Sequence, residues 1–488
     1  MSLSAAYGIA RQGLATTGTA TSIVSRNIAQ ADNPNASQKI AVRVTDAGGG
    51  VRLVGITNAV DNALLERAME SSSARSTSEV LSEALDRLNA AVTGGEGFGG
   101  PAALLSDLQS ALQVAATSPH DEAAAHAVIA AAKEVVSSLN NLSSLVSTVR
   151  ADANAQLSEG ASRLTGLLND FATVNKQIVQ GAARNQDVTD QVDTRNALMR
   201  EISDLVDIRT MEREGGDMVL FLANGTTLFE TSPRVVSIDA GGLAPGQAGP
   251  VLRIDGVPLG DDSAIGGRLG GLLQVRDDAA LKFGQQVDEI ARGLIQATAE
   301  ADQSATPTLP DLAGLFTYDG GPALPASGAV VNGLAARIVV NANVDPAQGG
   351  DLTLLRDGGI SSPGNSAYVY NASGGAGFSG RIDQLIEMLS AGQPFDAATG
   401  VGTSADGVMG FAADSIGWLQ RLRSNVSDQL ETRTVVANRA LATWQNRVGV
   451  SVDDEMTVLI SLERSYQATS RLITTVNGMF DALLRATG

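Results

Sequence analysis

The chain has 488 residues, enough for about two to four domains, and no cysteine, which removes disulfides, thiolate metal sites and cysteine nucleophiles together. Its net charge of −19 argues against nucleic-acid binding, which needs a basic face, and no apolar run is long enough to span a membrane. Aromatic residues make up only 3%, low for an enzyme with a substrate pocket and ordinary for a fibrous, helix-rich protein.

Met1-Ser-Leu-Ser4 opens with neither a basic nor an apolar leader region, so a cleavable signal peptide is not expected. Leu3, Ala10, Thr17 and Val24 then stand seven apart, as do Tyr7, Leu14, Thr21 and Ile28. The two lines interleave by fours and threes, the seam of a coiled-coil helix. Gly8, Gly13 and Gly18 lie between its positions. Each glycine costs a free helix about 1 kcal/mol relative to alanine, so this helix is expected to be disordered alone. The cluster Ala31-Asp-Asn-Pro-Asn-Ala-Ser37 ends it. Lys39 to Thr45 alternates as a strand, Gly48-Gly-Gly50 turns and Val51 to Ile56 returns, which predicts a hairpin. Residues 58–92 resume the helical period through Leu64, Leu81, Leu85 and Leu88.

Gly95, Gly97 and Gly100 spell a formal G-x-G-x-x-G, but a helix precedes it where a dinucleotide site needs a strand, so it reads as a link between helices. Pro101 stands where the next helix begins. From about Asp121 to Gly181 the period is helical throughout, as one long helix or two nearly continuous ones. Val128, Val135, Leu142 and Val149 form one line and Ala132, Leu139 and Val146 another, with a slip near Gly160. At 1.5 Å per residue this would span about 90 Å, a rod and not a ball. Val192 to Ile208 is a further helix.

The period then changes to two. Met218–Ala223 and Thr226–Phe229 flank Asn224-Gly225, a pair suited to both positive-φ positions of a type I′ turn. Short strands follow at Arg234–Ile238 and Val251–Ile254, with Asp255-Gly256 as a turn. Helix resumes at Gly270–Ala301, residues 302–410 are largely irregular around a helix at Arg381–Leu389, and a long helix runs from Phe411 to Val448.

The last stretch carries the strongest pattern. Val452, Leu459, Tyr466, Ile473 and Phe480 fall on one line of sevens, and Leu462, Thr469, Val476 and Leu483 on a second. Ser451 can cap the start, and Asp453, Asp454 and Glu455 set negative charge at the positive end of the helix dipole. The expected fold is mainly α: an elongated helical rod with terminal coiled-coil helices at one end and a small inserted β domain. Residues 1–35 with 450–488 form the coiled-coil domain, 36–208 with 264–449 the rod, and 209–263 the β domain.

Chemistry is missing from this plan. His120 and His126 are six apart without an H-E-x-x-H, so no zinc site is expected, and there is no G-x-S-x-G or P-loop. Acidic pairs such as Asp261-Asp262 and Asp277-Asp278 are adjacent, so their side chains splay apart and read as solvated charge. No cofactor is expected, and no enzyme.

Several motifs resemble one family. Val452-Asp-Asp-Glu-Met456, Leu462-Glu-Arg-Ser-Tyr-Gln-Ala-Thr-Ser470 and Asn477-Gly-Met-Phe-Asp-Ala-Leu-Leu484 are similar to the terminal helix of bacterial flagellar axial proteins. The middle is more selective: Val174-Asn-Lys-Gln-Ile178, Val192-Asp-Thr-Arg-Asn-Ala-Leu-Met199, Glu201-Ile-Ser-Asp-Leu-Val206 and Leu222-Ala-Asn-Gly225 resemble the flagellar hook-associated protein 1 family. So do Leu269-Gly-Gly-Leu-Leu273, Val340-Asn-Ala-Asn-Val-Asp345 and Gly349-Gly-Asp-Leu352. After Ser25-Arg-Asn-Ile28 the family has a Gly-Tyr-Thr-Arg-like turn, where this chain has Asn33-Pro-Asn-Ala-Ser-Gln-Lys39.

The resemblance implies an extracellular structural subunit of the bacterial flagellum at the hook–filament junction, exported through the flagellar type III apparatus without a cleaved signal. Its implied partners are copies of itself in a ring or tube, the hook protein, the second hook–filament junction protein and a flagellar export chaperone holding the C-terminal helix, with no nucleic acid and no membrane. The two seams are then assembly surfaces. The alternatives are another axial protein, such as a hook or second junction subunit, and a cytoplasmic coiled-coil scaffold, whose ends would be folded in the isolated protein.

Overall fold

The computed structural model describes residues 2–93, 100–239, 241–259, 265–402 and 407–487. The glycine link at 94–99 and the pair Asp261-Asp262 lie outside the described residues. The fold is mainly α and is built on long helices. Helix α1 spans Leu3–Ala29, and strands β1 (Lys39–Thr45) and β2 (Val51–Asn58) form the expected antiparallel hairpin. Helices α2 (Asn62–Val92) and α3 (Pro101–Thr117) follow, the second with its proline in the first turn, where no N–H is needed.

Helix α4, Glu122–Ala183, is one unbroken helix of 62 residues, about 90 Å long. The Asp121 carboxylate accepts from the Ala123 N–H and caps its start. Every residue of its two apolar lines is buried, which gives neighbours a stripe to pack on along its length. Where the period slips, Gly160 omits a β-carbon that would lie 2.5 Å from a methyl of Leu269, so α6 (Gly267–Gln274) crosses close there.

Helix α5 covers Thr189–Leu205 and stops short of Ile208. Ile208 instead opens β3 (Ile208–Glu212), which pairs antiparallel with β4 (Met218–Leu222), itself paired with β5 (Thr227–Phe229). The Asn224-Gly225 turn departs from type I′, because only Gly225 takes a positive φ, 88°. Gly225 N–H donates to Leu222 O at 2.8 Å, and the register shifts between Leu220 and Phe221, a longer loop with a bulge. Asp255 and Gly256, with φ of 49° and 79°, occupy both positive-φ positions in the next sheet, β6 (Val236–Ile238), β7 (Leu252–Ile254) and β8 (Val257–Pro258). Both sheets lean on α4: Phe229 meets Phe171 edge to face at 5.1 Å, and Val236 exchanges two hydrogen bonds with the Thr165 hydroxyl.

The helix expected over 270–301 is interrupted. A π-helical turn at Val275–Ala279 separates α6 from α7 (Ala280–Ala297). There Arg276, 1% exposed, is held by Asp277, by the Asn154 side chain at 2.7 Å and by Pro250 O at 2.9 Å. Beyond α7 the chain is irregular, with strands β9 (Phe316–Thr317) and β10 (Val339–Val340) and helices α8 (Thr353–Asp357) and α9 (Gly380–Ser390). Irregular backbone can pack here because carboxylates serve its N–H groups. Glu300, fully buried, accepts from Gly359, Ile360 and Ser361 N–H at 2.8–3.1 Å, and Asp302 accepts from Ser304, Thr308 and Leu309. Helices α10 (Gly407–Val448) and α11 (Val452–Thr487) close the chain, α10 lying along α2.

A further buried carboxylate, that of Asp288, makes stability depend on pH. Asp288 on α7 accepts from Gly333 N–H at 2.7 Å and Ala335 N–H at 2.9 Å. Burial outweighs those bonds and the Arg337 charge, and pushes its carboxyl up to about 6 from 3.8. A folded pKa above the unfolded one means that the fold binds the proton more tightly. The contribution is therefore present at the acidic end and lost as pH rises through the window from about 4 to 6, by about 3 kcal/mol. Asp288→Asn is expected to remove this part of the pH dependence, which urea melts across that window would register.

Candidate assembly interface

Helices α1 and α11 lie antiparallel. The Tyr7 ring meets Phe480 edge to face at 6.5 Å, Gly13 faces Thr469, and Asn27 reaches Glu455 near the other end. The Ser2 hydroxyl accepts from Ala5 N–H at the start of α1, and Ser451 from Asp454 N–H at the start of α11. Of the N-terminal seam, Ala10, Thr17 and Val24 are buried and Leu3, Tyr7, Leu14, Thr21 and Ile28 half-buried. The threonines satisfy their hydroxyls inside the helix, Thr17 to Gly13 O at 2.9 Å and Thr21 to Thr17 O at 3.0 Å, so they can sit in an apolar seam without stray donors.

Of the C-terminal seam, Leu462 and Val476 are buried, and Leu459, Thr469, Ile473 and Phe480 are half-buried. Val452, Tyr466 and Leu483 are not brought into contact of that depth and stay 44%, 48% and 55% exposed. The packed centre is Ala20, Val24 and Leu462, with Ile28, Leu459 and Ala41 of β1 around it. The hairpin covers a second side of α1: the Thr16 hydroxyl donates to Val51 O at 2.8 Å. On α11, Met456, Ile460, Leu472 and Met479 remain 43–52% exposed.

From spacing alone, Glu455 reads only as negative charge at a helix start and Lys39 only as the first residue of a strand. Glu455 is only 2% exposed and accepts from the Asn27 amide at 2.9 Å and the Gln38 amide at 2.8 Å. A signal existed, because Glu455 stands one heptad ahead of Leu462 on the same line, a charge at a seam position. Lys39, 2% exposed, pairs with Asp193 of α5. Alongside, Arg26 reaches Asp187 at 3.0 Å and the Thr189 hydroxyl at 3.1 Å. Burial works against the Asp187 carboxylate, but hydrogen bonds from Thr189 and Arg26 outweigh it and hold its pKa below the usual range.

His120 and His126 are both exposed, and among the described residues no three metal-ligating side chains converge. No helix among them is long and apolar enough to cross a membrane.

Comparison with known proteins agrees with the geometry. Residues 85–314 match the family model of the flagellar hook-associated protein FlgK helical domain, and residues 445–486 the C-terminal model of flagellar basal body rod FlgEFG proteins. The flagellar hook-associated protein 1 of Bacillus subtilis (strain 168) is 21% identical over 422 residues, covering 79% of this chain and 76% of its own. The flagellar hook junction protein FlgK from Burkholderia pseudomallei has the same fold, with a TM-score of 0.59 at 13% identity, over 79% of this chain and 100% of that one. Its helical domain, its terminal helix and its overall fold are thus each similar to those of flagellar hook-associated and other flagellar axial proteins.

Proposed function

We propose that this protein is a structural subunit of the bacterial flagellum that joins hook to filament and assembles with copies of itself through the paired α1 and α11. The observation that carries the reading is the unfinished packing of α11. One side of the helix lies on α1, while Met456, Ile460, Leu472 and Met479 form further apolar surface that a lone chain leaves in water. Charge supports the same arrangement. Residues 1–35 hold two arginines against one aspartate, and 450–488 three arginines against five acidic residues, so the pair is within one charge of neutral. Nearly all of the −19 sits on the rest of the chain. Pairs can therefore crowd together around an axis while the bodies repel and stay outside.

On this reading the neighbours along the axis are the hook protein and the second junction protein. An export chaperone covers the α11 seam before secretion. The test is deletion in the source bacterium, with electron microscopy of the cells and an assay for flagellin in the medium. Bare hooks with flagellin shed into the medium are expected. Cells without hooks would place the protein further inward, as another axial subunit, and normal filaments would overturn the reading.

A further inference from the structure

Strand β1 turns its apolar residues away from the rest of the chain. Ala41, packed beside Ala20 and Val24 of α1, marks the inward face of the hairpin, and Lys39 on the same face is buried. Alternation puts Ile40, Val42 and Val44 on the other face, and all three are 38–45% exposed. A hairpin with one covered face ordinarily buries its branched aliphatics and shows polar residues to water. Here the order is reversed, and a row of aliphatics left in water marks an interaction surface. Across the ladder from Val44 stands Arg52, also exposed.

Helix α11 carries a face that complements this one. Asp453, Met456, Ile460 and Glu463 recur by three, four and three residues, so they share a stripe, and all four are exposed. The groove between the hairpin and α11 of the same chain is lined instead by Ser465 and Leu472, against Arg43 and Val51. At 3.6 residues per turn the stripe lies about 150° around the helix from Ser465 and Leu472. Each copy therefore presents the hairpin face on one flank and an apolar stripe bounded by carboxylates on the other.

The two faces lie at matching levels along the terminal pair. At its base Asn27 binds both Lys39 and Glu455, the sequence neighbours of Ile40 and Met456. Further along, the Thr16 hydroxyl binds Val51 O, beside Arg52. Asn27 opposite Glu455 and Gly13 opposite Thr469 set one antiparallel register, which places Glu463 within about one helical turn of Thr16. A neighbour displaced sideways, with no slide along the pair, thus sets Met456 and Ile460 against Ile40 and Val42, and Glu463 near Arg52.

We infer that in the assembled state the outer face of the hairpin docks on the Met456–Ile460 stripe of α11 in a second copy, with Arg52 meeting Glu463. The contact is heterologous, one flank of each copy on the opposite flank of the next, so it propagates and closes into a ring or continues as a helix. It rests on the assembly reading above and names two faces that meet. It requires no folded pair in the free chain.

The absence of native cysteine allows a test by cross-linking in flagella. In the deletion strain, the chain with Val42→Cys and Ile460→Cys is expected to restore filaments. Mild oxidation of the isolated flagella should then give a ladder of covalent multimers, with each single variant remaining monomeric. Dimers from Val42→Cys alone would mean that hairpin meets hairpin, and would overturn the contact. So would a ladder from Val42→Cys with Val435→Cys on α10 in place of Ile460→Cys. Charge reversal measures the same contact independently. Arg52→Glu and Glu463→Arg are each expected to lower filament number about fivefold with export to the medium unchanged, and together to recover most of it. Parent filament numbers in both single variants, with no ladder, would overturn the contact and leave the junction reading standing. A parent chain absent from isolated flagella would overturn both.

Discussion

Ile473→Asp is expected to abolish assembly while the body of the protein stays folded. Ile473 is half-buried on α11, three residues from the buried Val476 and seven from Phe480, whose ring meets Tyr7. Losing the side chain removes about 1–2 kcal/mol of apolar contact. A carboxylate in its place adds a desolvation cost of comparable size. The pair has little stability to give up, since α1 carries Gly8, Gly13 and Gly18, each worth about 1 kcal/mol against helix. The body is insulated because its apolar core is separate. Limited proteolysis should leave the body intact in parent and variant alike, and the variant should fail to restore filaments to a deletion strain. Thr474→Asp, one residue on and exposed, is expected to leave the pair folded. An Ile473→Asp protein that assembles normally would mean that α11 does not work through this face.

The second large effect lies in the body. Glu289 and Arg292 on α7 form a fully buried bidentate pair, with contacts of 2.7 and 2.9 Å. The pair organises the segment before α10: Arg292 donates to Pro394 O at 2.6 Å and lies over the Phe395 ring at 5.3 Å, and Glu289 accepts from Asp396 N–H at 3.0 Å. Removing one partner strands the other charge in the interior. Arg292→Leu is therefore expected to cost about 3–5 kcal/mol in thermal or urea melts. Glu289→Leu with Arg292→Leu should recover much of that loss, because no uncompensated charge remains. A double variant as unstable as the worse single would show that the backbone contacts, and not the ion pair, hold this segment.

Periodicity alone determined a good deal about this protein. The long helical run from about Asp121 to Gly181, as one helix or two, the hairpin after Lys39, the long helices at both ends and the mainly α fold follow from apolar spacing and turn residues. These are local signals, repeated over enough residues to outweigh any single exception. Composition likewise pointed away from nucleic acid and catalysis before any contact was known. Single positions were harder to read. Asn224 forgoes the positive φ its dipeptide favours, because the ladder shifts register between Leu220 and Phe221 and closes in a longer loop than a two-residue turn. Ile208 leaves its helix to open a strand on the other side of Leu222.

Only the tertiary structure decided how the irregular stretch beyond α7 packs and how the terminal pair is joined to the body. In the first, Glu300, Asp288 and Asp302 serve backbone N–H groups from residues up to about sixty positions away. In the second, Asn27 meets Glu455 across 428 residues, and Lys39 meets Asp193 across 154. A buried polar group takes its partner from whatever the fold brings within about 3 Å, and nothing in the spacing of a sequence encodes that meeting.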